Sequence, residues 1–179
     1  MHIRWLTFFI LLLPVCASAE VPWVLVDTGR QIVSVIRDGE TVLKLPHISI
    51  GRGGTSKFRQ AQDDRTPLGI YQVAWIQKDS PFRLFFGLNY PTREQAIAGF
   101  EHGVIDGATL DTIIQAIDHG RLPPQSTALG GHIGIHGLGD GELWVHQRFN
   151  WTKGCIALTN QQVEQLRQWI VIGTRVVVR

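Results

Sequence analysis

Cysteine is scarce in this chain. Among 179 residues there are two, Cys16 and Cys155, and Cys16 sits in an apolar leader at residues 1–19. Residues 20–179 therefore hold a single thiol, which excludes an intrachain disulfide and flags Cys155 for reactivity, with an inert buried cysteine packed as a small hydrophobe as the competing reading. Runs of basic residues and basic helix faces are also lacking at a net charge of +2, which argues against nucleic acid as a partner. Neither Cys-x-x-Cys nor His-Glu-x-x-His occurs, so the usual spacings of a zinc site are absent. No apolar run reaches the ~20 residues of a membrane-spanning helix, and there are no repeats, low-complexity tracts or long linkers.

The leader has a basic start (His2, Arg4), an apolar run from Trp5 to Val15, and then Ala17-Ser18-Ala19. This is the anatomy of a secretory signal peptide with cleavage expected after Ala19. Cys16 raises the rival reading of a lipoprotein, but Val15 stands where a small residue would normally precede a lipidated cysteine. The exported chain, residues 20–179, is expected to be one soluble domain with no stable membrane insertion after cleavage.

The front half reads as β-structure. Trp23 to Asp27, Gln31 to Arg37, Glu40 to Leu45 and His47 to Ile50 are strand-like, and Asp38-Gly39 marks a hairpin turn. Residues 51–64 are glycine-rich and polar, an expected exposed loop. Strand character returns at Gly69 to Ile76 and at Phe82 to Leu88. A helical insertion follows at about 92–129. Thr92 with Gln95 forms a capping box, Ala96, Ile97 and Phe100 follow at helical spacing, and Leu110, Ile113, Ile114 and Ile117 make a second stripe stopped by Gly120. Both stripes are expected to pack in the core. Gly131 to Gly137 reads as a strand. A last helix is expected from Thr159, capped with Gln162, carrying Val163, Leu166 and Ile170 inward and ended by Gly173. Thr174 to Val178 closes the domain as a strand.

A cysteine nucleophile needs a base. His136, at the end of an apolar strand and beside Gly137, is the histidine best placed for that role, with a structural histidine as the competing reading. Gly154 allows a tight turn before Cys155, and the amides of Gly154, Cys155 and Gly137 are candidates for an oxyanion hole. A metal reading rests on His132, His136, His146 and Cys155. On a strand, however, His132 and His136 stand about 13 Å apart and cannot share one ion. No metal and no cofactor is expected.

Four elements in order then resemble the L,D-transpeptidase (YkuD-like) catalytic domain. They are Thr66-Pro67-Leu68-Gly69-Ile70-Tyr71, Asn89-Tyr90-Pro91, Ile135-His136-Gly137 and Gly154-Cys155-Ile156. The resemblance implies a mainly β fold with peripheral helices (α+β), its mixed β-sheets packed as a sandwich-like barrel. It also implies a cysteine enzyme acting on peptidoglycan stem peptides, with Cys155 as nucleophile and His136 as base, oriented by the backbone around Gly137. Two positions depart from the common pattern. Lys153 replaces a histidine before Gly154, and Ala157 replaces an arginine after Cys155, which leaves substrate choice open. Lys153 beside the site would favour thiolate, or is simply a solvated loop lysine. Thr152, Trp151 and Tyr90 are further candidates for substrate binding, and Trp144 for lining the cleft, with core packing as the alternative for the aromatics. The insertion is a candidate lid.

The expected function is an exported L,D-transpeptidase, in the periplasm, that cross-links the wall or attaches a protein to it. Two alternatives stay open. One is a hydrolase on the same scaffold, either an L,D-carboxypeptidase or endopeptidase, or an amidase releasing a wall-linked lipoprotein. The other is a non-catalytic wall-binding module.

Overall fold

The computed structural model describes residues 20–179; the expected signal peptide and its Cys16 lie outside them. Ten strands and four helices follow one another among the described residues. The strands are β1 (Trp23–Asp27), β2 (Ile32–Arg37), β3 (Glu40–Pro46), β4 (Thr55–Ser56), β5 (Thr66–Pro67), β6 (Gly69–Ser80), β7 (Arg83–Leu88), β8 (Gly134–His136), β9 (Ile156–Ala157) and β10 (Arg175–Val178). The helices are α1 (Arg93–Glu101), α2 (Gly107–Asp118), α3 (Leu143–Arg148) and α4 (Asn160–Arg167).

Eight strands form one mixed sheet in the order β3-β2-β1-β10-β6-β7-β8-β9, and β4 pairs with β5 in parallel. β1 lies parallel to β10 and β8 parallel to β9, while the other neighbours are antiparallel. The segment after β3 curls back to the opposite edge, where Ser49 bridges Ala157 and Gly51 bridges Thr152. The sheet thus folds over on itself in a sandwich-like arrangement; among the described residues these single bridges do not complete a closed barrel.

Period-two burial builds the core. Val24 and Val26 of β1 and Val33 and Val35 of β2 are fully buried, alternating with partly exposed neighbours. They join Tyr71, Phe86, Leu88, Ile135, Ile156 and Val176, with Val163 and Leu166 of α4 laid on top. The β2–β3 hairpin turns at Asp38-Gly39, both with positive φ (52° and 77°), as a two-residue turn of this hand demands. The Thr66-to-Tyr71 motif is scaffold: Tyr71 is buried, and its hydroxyl contacts the Pro67 and Leu68 carbonyls and the Gln95 amide.

Several sequence expectations need correcting. Residues 47–50 make bridges, not a full strand, because they cross between sheet edges. The loop at 51–64 contains β4, and the strand expected over 131–137 is confined to Gly134–His136. α4 stops at Arg167, well before Gly173. Both capping boxes form, at Thr92/Gln95 and Thr159/Gln162. In the insertion Ala96, Ile105, Ile113 and Leu129 make a second small core, but Ile97 and Phe100 are exposed because only one narrow face of α1 meets it. The insertion leans on the 51–65 loop: Phe58 joins its core and stacks on His102 at 4.8 Å, and the Ala61 amide donates to the Ala128 carbonyl.

Candidate active site

His136 ends β8, pinned from both sides of the sheet. Phe85 stands opposite it on β7, and their rings stack at 5.9 Å and 9°. Phe82 covers it at 4.4 Å, and Trp151 meets it edge-on at 5.9 Å. Gly134 makes this packing possible: a Cβ there would stand 2.5 Å from the Phe85 ring. Gly87 does the same for Trp75, whose ring stacks on Phe85. The imidazole is 2 % exposed. Burial pushes its pKa down to about 4, opposed by the Gly137 hydrogen bond, with His146 adding to the fall, so the ring is neutral near pH 7.

The Nδ1 atom of His136 lies 2.7 Å from the Gly137 carbonyl oxygen. A carbonyl can only accept, so Nδ1 carries the hydrogen and Nε2 keeps a free lone pair. Asn160, the first residue of α4, holds this loop by accepting from the Gly139 amide and donating to the Gly139 carbonyl, each at 2.8 Å.

Cys155 directly precedes β9. The parallel register pairs Ile135 with Ile156 and His136 with Ala157, which sets Cys155 opposite Gly134 and diagonal to His136 on the same face. The thiol is half-buried and donates to the His132 carbonyl at 3.3 Å. Burial pushes its pKa up to about 11, opposed by a backbone hydrogen bond from Gly134 and by the Arg59 charge. The pair is thus a neutral thiol and a neutral imidazole, and the sulfur's hydrogen bond runs to the His132 carbonyl.

The remaining expected residues fall into place unevenly. Thr152 is buried and staples the turn: its hydroxyl donates to the Cys155 carbonyl at 2.7 Å and accepts from the Gly154 amide at 3.1 Å. Its hydroxyl is engaged in forming the turn, and the Gly154 amide is engaged with it. Gly137 meets His136 through its carbonyl, the orienting backbone contact the resemblance implied, while its amide donates to the Leu84 carbonyl. The Cys155 amide is what remains of the expected oxyanion set. Tyr90 does not line the cleft; it is 1 % exposed with its hydroxyl on the Leu129 carbonyl. Trp151 is half-buried against His136 and donates from Nε1 to His146 Nδ1. Trp144, on a helix the sequence did not signal, is 54 % exposed beside Phe149, and Lys153 is exposed. Among the described residues no three His, Cys, Asp or Glu side chains gather as a metal site. Cavities of about 540 and 900 Å³ lie along β6 and α1, away from Cys155 and His136.

Sequence reasoning missed Arg59. It is 5 % exposed and lies over the Tyr90 ring, and a Cβ on Gly154 would stand 2.7 Å from its Nη1. A lone arginine in a polar loop gives no pattern to read; only the fold brings it under the cysteine turn.

With this geometry in place, a sequence match over residues 21–178 to the L,D-transpeptidase catalytic domain (YkuD) shows that the chain belongs to that family. No curated protein matches the chain. Among solved structures it is similar to the helical cell shape determining protein Pgp2 from Campylobacter jejuni, here as a point mutant, at 23 % identity and a TM-score of 0.59, covering 89 % of this chain and 47 % of that one. It is also similar to Bd1075 from Bdellovibrio bacteriovorus (19 %, 0.56, 89 % and 48 %). A third is an L,D-transpeptidase from Xylanimonas cellulosilytica (17 %, 0.51, 94 % and 65 %). These likenesses establish the fold. The chain spans about half the length of Pgp2 and of Bd1075.

Proposed function

We propose that the protein is an exported, cysteine-dependent L,D-transpeptidase of the periplasm acting on peptidoglycan stem peptides. Cys155 attacks the carbonyl of the third residue of a stem tetrapeptide while His136 Nε2 takes the thiol proton. The tetrahedral intermediate collapses, the terminal D-alanine leaves with the proton that His136 returns to its amine, and a thioester remains on Cys155. An amine from a second stem peptide, or from a protein to be attached to the wall, gives up a proton to His136 and takes the acyl group.

The observation that carries this reading is the tautomer of His136, locked by the Gly137 carbonyl with Nε2 unprotonated, on the strand beside Cys155 and on the same face. A base that is neutral at working pH and held from behind suits proton transfer in both directions. The test is product analysis by mass spectrometry after incubation with disaccharide-tetrapeptides, run beside C155A. Cross-linked dimers lacking one D-alanine and dependent on Cys155 are expected. A Cys155-dependent tripeptide monomer as the only product would replace transfer by hydrolysis, and no Cys155-dependent product would overturn the reading.

A further inference from the structure

Arg59 sits on the loop between β4 and β5. Its Nε and Nη1 are closed off from solvent and make no hydrogen bond. Nη2 reaches the Gln60 carbonyl at 3.3 Å, and the one carboxylate nearby is Asp63, with Oδ1 3.4 Å from Nε. That carboxylate is committed elsewhere: Oδ1 accepts from the Arg65 amide and Oδ2 from the Gln60 amide, at the edge of a pocket of about 240 Å³. Nη1, by contrast, is turned to Gly154. A buried guanidinium with unmet donors is costly, and it persists where the surroundings hold it in place. Here Tyr90 beneath it and Gly130, whose Cβ would lie 3.5 Å from Nη2, fix it from the side of the helical insertion.

We propose that Arg59 is the positioning cation of the site, held under the Gly154–Cys155 turn so that negative charge on Cys155 forms against a fixed positive charge. It supplies from another loop a cation that Ala157 does not carry. The field acts in a dry region, where a charge counts for more than at the surface. Asp63 cancels it only in part, being partly solvated and shared with two backbone amides. Other titratable groups around the thiol act differently. His136 is neutral, His132 meets the thiol through its carbonyl, and Lys153 and Arg65 are exposed, so solvent screens their charges. The burial that pushes the thiol up is opposed first by the Gly134 amide and then by Arg59, the one side-chain charge that acts on it. In chemical terms, Arg59 lowers the cost of moving the thiol proton to His136 and stabilises the thiolate that leaves when the acyl group moves on.

The inference rests on Cys155 being the reacting group, and its test needs no substrate, so the two fail separately. The thiolate absorbance of the protein is titrated with pH, with C155A as blank, and alkylation by iodoacetamide is followed alongside. Arg59→Met is expected to raise the thiol midpoint by about one unit, a tenfold loss of thiolate at fixed pH, while Arg59→Lys keeps most of the effect. Asp63→Asn is expected to move the midpoint down, the opposite sign, because the cation loses its counter-charge. A folded Arg59→Met with an unmoved midpoint overturns the proposal. Should that variant fail to fold, Asp63→Asn decides it: a downward shift supports the proposal, and an unmoved or raised midpoint overturns it.

Discussion

His136 and Arg59 are both almost wholly buried and both flank the segment that ends in Cys155, yet they are held in opposite ways. His136 stands on a strand, its ring packed by Phe82, Phe85 and Trp151 and its Nδ1 hydrogen satisfied by Gly137. Arg59 stands on a loop with two nitrogens unpartnered, steadied by residues at both ends of the helical insertion. The strand wall fixes geometry and is electrically neutral. The loop wall carries charge and leaves its donors open.

Removing either of the two proposed reacting groups should have the largest effect. C155A is expected to abolish turnover, and H136A to lower it by about 10²- to 10⁴-fold, measured as product from disaccharide-tetrapeptide. Next come the two glycines that shape the walls, and they should separate them. Gly87→Ala drives a Cβ into the Trp75 ring that stacks on Phe85, at an expected cost of about 1–3 kcal/mol in urea unfolding, with little change in the thiol's pH profile. Gly154→Ala meets Arg59 Nη1 and the Arg65 carbonyl, both at 2.7 Å, from a φ of 122°, and is expected to shift that profile as well as destabilise. Equal profiles in the two variants would erase the distinction between the walls.

The pH dependence of stability tests the strand wall alone. The folded state holds His136 near 4 and the unfolded chain near 6.5, so the unfolded state takes up the proton first as pH falls. The stabilisation from a neutral His136 is full above pH 6.5 and is lost as pH falls to about 4, a change of about 3 kcal/mol. The stability of the protein relative to His136→Gln should fall by that much across this window; a difference that stays flat would contradict the buried neutral ring. The smallest effect is expected from Lys153→Ala. An exposed ammonium is screened, so the thiol midpoint should move by less than about half a unit.

Local chemistry explains what was legible in the sequence. The Asp38-Gly39 turn, the two capping boxes and the alternation in β1 and β2 are signals carried by neighbouring residues, and the fold keeps them. Cys155 and His136 could be paired because each sits where a strand meets a glycine. Contacts between distant segments were not legible. Tyr90 and Thr152 looked like cleft residues, but their hydroxyls are spent on the Leu129 and Cys155 carbonyls. α3 is short and lacks a side-chain cap at Glu142, so it left little signal. Arg59 acquires its place only when residues 51–65 fold under a turn nearly a hundred positions away.

In the proposed chemistry Cys155 carries the acyl group and His136 is its base. Intact-protein mass spectrometry of acid-quenched mixtures with disaccharide-tetrapeptide would catch that acyl group in place. An adduct on Cys155 lacking the terminal D-alanine is expected, absent in C155A and much slower to form in H136A. Turnover that persists in C155A without such an adduct would contradict it.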